Sequence, residues 1–294
     1  MTLLTTWVSA PGRAIWHTLT LLARNRTGLL GLVVLVGIVL LAWVGPLVVP
    51  PETQAHVDRI YQWPTLAHPL GTDFQGRDTL VMIIHGGGDV ILIAALTGLL
   101  TTLIAVTAGA LSALLGGAAD TLLMGITDIW LTVPRFIVLV VAARMMRLEN
   151  VWTLAILLAV ISWPSLARQI RAQMLSLRSR EYIEAARLLD LGTPHVIFRE
   201  MLPNMIGFIV IAMIAAMIQA IYVQTGLVFL GLVPFGNNWG VMFYLAYAKN
   251  AIFLPRAAWS LLAPMGAIML FQLALVWLSR SLEEIFDPRL RSGA

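Results

Sequence analysis

The sequence predicts an all-α polytopic membrane protein with six transmembrane helices. Of its 294 residues, 59% are hydrophobic and only 12% are charged, about half the charge of a typical soluble domain. The mean hydropathy of +0.87 leaves little surface that water would tolerate. Apolar runs then recur along the chain at lengths comparable with the roughly 20 helical residues that cross about 30 Å of hydrocarbon.

The runs cover residues 28–49, 89–115, 121–143, 151–167, 206–232 and 258–278, the third interrupted by Pro134 and Arg135. The first is longer than a signal-peptide core, so it is expected to persist as a membrane anchor. Charge orients the spans. Arg supplies 18 of the 19 basic residues, the other being Lys249. Residues 1–27 carry Arg13, Arg24 and Arg26 and no acid, whereas the segment after the first span is net acidic through Glu52, Asp58, Asp73 and Asp78. Residues 168–200 hold six Arg and four acids. The positive-inside rule puts this loop and both termini in the cytoplasm. Arg144 and Arg147, in the third connection, dissent. The expected organisation is a cytoplasmic segment 1–27, a first span 28–49 and an extracytoplasmic loop and entry 50–88. A core of 89–280 with a cytoplasmic loop at 168–204 follows, then a cytoplasmic tail 281–294.

Several chemistries are excluded. A net charge of +4 built from scattered Arg points to membrane orientation, not nucleic acid. With no cysteine, there is no disulfide and no thiol catalysis. A phosphate-binding loop needs Gly-Lys-Ser/Thr, and Lys249 is followed by Asn250. Gly86-Gly87-Gly88 reads as a helix entry or a close packing site. The five His residues lack metal-ligand spacing, and His68 is expected to satisfy loop hydrogen bonds. Asp128 lies in the third run without a second acidic motif facing it. No catalytic residue and no resident cofactor or metal is expected. What remains is transport powered by a partner.

One polar island of about 35 residues stands between apolar runs. Periodicity predicts a helix at 181–192, with Tyr182, Ala185, Ala186 and Leu189 on one face and Glu181, Glu184 and Arg187 on the other. Gly192 is expected to take the left-handed cap. Thr193 is then placed to N-cap a second helix opened by Pro194. The segment is either a knob presented to a soluble partner or an ordinary amphipathic loop. In the fifth run Gln219, Tyr222, Gln224 and Thr225 interrupt an apolar stretch, and serve either interhelical hydrogen bonding or contact with a solute. Trp239, Tyr244 and Tyr247 suit an interfacial aromatic belt.

From residue 27 to 291 the motifs follow a recognisable order. They are His68-Pro69-Leu70-Gly71-Thr72-Asp73 with Gly76-Arg77-Asp78, Asp128 to Pro134, Trp163-Pro164 with Ala167-Arg168 and Arg171, and Glu181-Tyr182-Ile183-Glu184-Ala185-Ala186-Arg187 with Leu202-Pro203-Asn204. Gly226-Leu227-Val228-Phe229-Leu230-Gly231-Leu232, Asn238-Trp239-Gly240 and Asp287-Pro288-Arg289-Leu290-Arg291 complete the series. Together they resemble the DppC/OppC-like permease subunit of the dipeptide/oligopeptide class of bacterial ABC importers. The resemblance implies a type I importer permease fold whose coupling helix docks on an ATPase through Glu181, Glu184, Ala185, Ala186, Arg187 and Gly192. It implies a multi-pass protein of the bacterial inner membrane, forming half of a path for short peptides. The implied partners are a second homologous permease subunit, two ATPase subunits carrying ATP and Mg, and an extracytoplasmic substrate-binding protein, with the lipid bilayer around them.

Two departures stand out. Where the family has Gly six residues after the Glu of Glu-Ala-Ala, this chain has Asp190, which is expected to shift the bend. Where the family often carries Glu, it has Gln224. That change, with Gly236-Asn237-Asn238-Trp239-Gly240, also resembles members that carry oligosaccharides.

Overall fold

The computed structural model describes residues 20–22, 25–146, 148, 150–233, 236 and 238–286. The segment 1–19, Arg24, Arg147, Phe235, Asn237 and the 287–291 motif lie outside the described residues.

Nine α-helices of eight residues or more organise the described chain: α1 (Arg26–Trp43), α2 (Thr79–Leu115), α3 (Gly117–Thr132), α4 (Arg135–Met145), α5 (Val151–Arg178), α6 (Glu181–Leu188), α7 (Leu202–Phe229), α8 (Trp239–Ala248) and α9 (Ala258–Phe286). No strand occurs among the described residues, only an isolated bridge between Thr72 and Asp78. Five helical stretches are long and apolar enough to cross a membrane. The sixth candidate span is broken: α3 and α4 meet at 84°, where Pro134 withholds an N–H and pushes Val133 into extended backbone.

The described helices support an even number of crossings. Asn25, which N-caps α1, donates from Nδ2 to Glu284 Oε2 at 2.5 Å near the end of α9. The start of the first span and the end of the last therefore lie at one end of the bundle. At the other end His85 Nε2 of α2 lies 2.9 Å from the Val49 carbonyl, just beyond α1.

The spans are longer than the apolar runs suggest. α2 begins ten residues before 89 and passes straight through Gly86-Gly87-Gly88, and α5 continues to Arg178. At 1.5 Å per residue they measure about 55 and 42 Å, more than the hydrocarbon needs. α2 is the central helix, packing on α5, α7 and α1, while α1 lies against α9. Three cores result. One joins α1, α2, α7, α8 and α9 around Trp239 and Phe271. A second joins α4, α5 and α7 to Ile93 of α2. The third gathers the far ends of α2 and α5 with α6 and the start of α7.

Candidate docking surface and solute path

α6 is short, and its apolar residues face two ways. Ile183 is 0% and Ala186 6% exposed, joined in one core to Ala105, Ala110 and Ala113 of α2, Ile170 and Met174 of α5, and Met201 and Met205. Tyr182, Ala185, Leu188 and Leu189 are exposed, as are Glu181 and Glu184. The expected single face of Tyr182, Ala185, Ala186 and Leu189 is thus divided, with Ala186 on the rooted side and the others outward. Arg187 is a residue of α6 whose side chain lies outside the described set. Partial burial, with help from the Glu200 carboxylate and against Arg180, raises the Tyr182 phenol above its ordinary value.

Helix α6 stops at Leu188 and is capped by Asp190, not by Gly192. Asp190 takes the left-handed conformation at φ 51, and the Leu191 N–H donates back to the Ala186 carbonyl at 3.3 Å, the longer bond of a Schellman ending. Asp tolerates this conformation better than most residues with a Cβ. The bend therefore stays where the family's Gly would put it. Gly192, at φ 75 and ψ 150, occupies backbone that is essentially restricted to glycine. It is the N-cap residue of the turn Thr193–His195, so Thr193 and Pro194 sit one position later than expected. A π-helical segment, Val196–Met201, then leads into α7.

On α7 the four candidate path residues separate. Gln219 and Tyr222 are exposed, Thr225 is half-buried, and Gln224 is 2% exposed on the inner side with Ala220, Leu227 and Val228. Trp239 is not a belt residue. It is 2% exposed, donates from Nε1 to the Ile83 carbonyl at 2.9 Å and meets Phe271 edge-on. Asn238 is buried and caps α8 by accepting from the Val241 N–H at 3.0 Å. Tyr244 and Tyr247 gather around Phe229.

Residues 102–292, about two-thirds of the chain, match the family described as binding-protein-dependent transport system inner membrane component. The chain belongs to that family. Residues 11–64 match the N-terminal transmembrane domain of oligopeptide transport permease C. A Brucella suis biovar 1 protein, named there as a candidate peptide permease, is 35% identical over 90% of this chain and 88% of its own length. The oligopeptide transport system permease protein OppC of Bacillus subtilis is 29% identical over 97% of this chain and 93% of its own. OppC of Mycobacterium tuberculosis is 31% identical over 92% of each.

In this inner-membrane transport component the first connection is a cap on α2. Asp78 Oδ1 accepts from the N–H groups of Leu80 and Val81 at 2.7 and 3.2 Å. Its Oδ2 lies 2.8 Å from His68 Nδ1, and its N–H donates to Glu52 Oε2 at 2.6 Å. Arg77 grips Asp73 Oδ2 through Nε and Nη2 at 2.9 and 2.7 Å, and Thr72 donates to the Arg59 carbonyl. The Tyr61 phenol is raised by burial and by the Asp73 charge. The polar side chains of the 68–78 motif are thus engaged in hydrogen bonds within this connection and to the start of α2. His56 pairs with Glu52 at 3.3 Å. Among the described residues no group of three His, Cys, Asp or Glu could hold a metal.

At the other end Arg171 of α5 clasps Asp120 of α3 through Nε and Nη2 at 2.6 and 2.5 Å, with Ser112 of α2 also donating to Asp120. Sequence reading did not single out this triad. Its signal was an acid and an Arg at the ends of apolar runs facing one another, which only the fold brings together.

Proposed function

We propose that this permease component forms half of a transmembrane path that imports short peptides, driven by ATPase subunits that dock on α6. One observation carries the docking. α6 is rooted by Ile183 and Ala186 and presents Tyr182, Ala185, Leu188 and Leu189 outward, a small apolar patch edged by Glu181 and Glu184. Small Ala side chains let a partner surface approach closely, and the root ties that surface to α2, α5 and α7.

ATP and Mg belong to the partners. Closure of two ATPases around ATP favours one arrangement of α6 over another, and the shared core carries the difference to the spans. A polar solute cannot cross hydrocarbon unaided, so a second homologous permease completes the path and opening alternates between its sides. A binding protein delivers the solute from outside. The Arg-rich loop 168–204 and both termini face the cytoplasm.

Peptides are favoured over oligosaccharides. The relatives named above are peptide or oligopeptide permeases. Of the residues that favoured sugars, Gln224, Asn238 and Trp239 are buried. The test is competition for uptake into vesicles holding the assembled importer. Saturable uptake of a tripeptide is expected. Oligosaccharide uptake that excess peptide fails to inhibit would overturn the peptide reading and leave the permease reading standing.

A further inference from the structure

The break between α3 and α4 interrupts a candidate span, and residues 132–137 around it are exposed on the described chain. Trp130, near the end of α3, donates from Nε1 to the Ile161 carbonyl at 3.3 Å. Ile161 is ten residues into α5, about 15 Å along that helix from its start. Beside that bond is a cavity of about 300 Å³ lined by Trp130, Pro134, Arg135, Val138 and Ile161 among others. Arg135 is exposed and makes no ion pair or hydrogen bond among the described residues. The nearest acids along α3 are engaged elsewhere, Asp128 with Arg168 at 3.2 Å and Asp120 with Arg171.

A guanidinium in the middle of a candidate span is costly against lipid. It needs water or an anion, and such residues mark transport paths. Broken helices near the midplane likewise mark solute sites in other transporters. The break also adjoins the polar face of α7: a Cβ at Gly226 would lie 3.8 Å from the ring of Phe136, and Gly226 is one turn beyond exposed Tyr222.

We propose that Arg135 binds the carboxylate of the passing solute at this break and thereby selects peptides with a free C-terminus. The planar fork of the guanidinium matches a carboxylate bidentately, and the apolar lining suits a side chain beside it. The inference rests on the peptide reading above.

The experiment compares a tripeptide with its C-terminal amide in vesicles containing the complete importer. Each peptide is presented on saturated binding protein, so delivery is common to all variants. Arg135→Gln is expected to lower kcat/KM for the free acid by about tenfold or more and the amide by less than about twofold, because only the acid loses a charge-assisted contact. Arg135→Lys should restore part of the acid's uptake. Equal losses for acid and amide, or no loss for either, overturn the inference. Failure of Arg135→Gln to co-purify with the second permease would also overturn it, because the partner carboxylate would then lie in that subunit. Wild-type vesicles that take up neither peptide overturn the peptide reading itself, whereas intact uptake with an unchanged acid-to-amide ratio overturns only the role of Arg135.

Discussion

The indole of Trp239 donates to the carbonyl of Ile83 at 2.9 Å, joining α8 to α2 between residues 156 positions apart. Gly87, one turn beyond Ile83, makes the contact possible: a Cβ there would lie 2.8 Å from the indole and 3.1 Å from Ala42. Gly87→Ala should overpack this junction and cost about 1–3 kcal/mol. Trp239→Ala should cost about 3–5 kcal/mol. Unfolding of the purified complex in detergent measures both, and a Gly87→Ala protein as stable as wild type would refute the close packing.

Asp190 gives a sharper test of backbone. Asp190→Gly should leave the turn unchanged or tighten it, whereas Asp190→Ala should loosen it by about 1 kcal/mol, having neither glycine's freedom nor the Asp side chain. Hydrogen exchange of the α6 amides should then accelerate about fivefold in the Ala variant. Identical exchange in the two variants would mean that residue 190 does not hold the left-handed cap.

Two neighbouring alanines on α6 should behave oppositely. Ala185→Trp, on the exposed side, should leave stability unchanged and uncouple ATP hydrolysis from uptake. Ala186→Trp, on the rooted side, should cost about 1–3 kcal/mol through overpacking. Normal ATP-driven uptake by Ala185→Trp, measured beside ATPase activity, would count strongly against docking.

Asp78 holds the start of α2 and His68 together. Asp78→Ala should cost about 1–2 kcal/mol, the usual range for a lost N-cap, while Asp78→Asn should retain most of the capping. Thermal unfolding separates them; equal losses would point to the His68 contact in place of the cap.

The adjacency of Asn25 and Glu284 fits six crossings. Reporter fusions after Pro50 and Phe235 should read extracytoplasmic, and fusions after Arg178 and Arg291 cytoplasmic. A cytoplasmic signal at Pro50 would reverse the orientation.

The apolar runs made the spans legible, and Pro134 made the break legible, because both effects are local. The helix ends were not. Gly86-Gly87-Gly88 reads from sequence as a helix entry or a close packing site, and only Trp239 and Ala42 against Gly87 decide for packing. The end of α5 from residue 168 on looks polar, yet Ile170 and Met174 are fully buried in the third core. On α6, periodicity groups residues by angle but cannot tell which apolar side meets the bundle and which is left for a partner. Asp190 suggests a displaced bend because a non-glycine residue at positive φ is uncommon, and Trp239 suggests a belt because its partner lies on another helix.

The wide ring at Val196–Met201 holds one more residue per hydrogen-bonded loop than the α-helix that follows it. That surplus is a stored step of winding. Tightening it to the α register would swing the knob about 100° around the axis of α7 and move it about 1.5 Å, with no turn melted. Passing the surplus along the helix instead would twist the stripe of Gln219 and Tyr222 by the same increment. On the docking proposed above, the joint between α6 and α7 would act as a screw, turning a push on α6 into a rotation of α7.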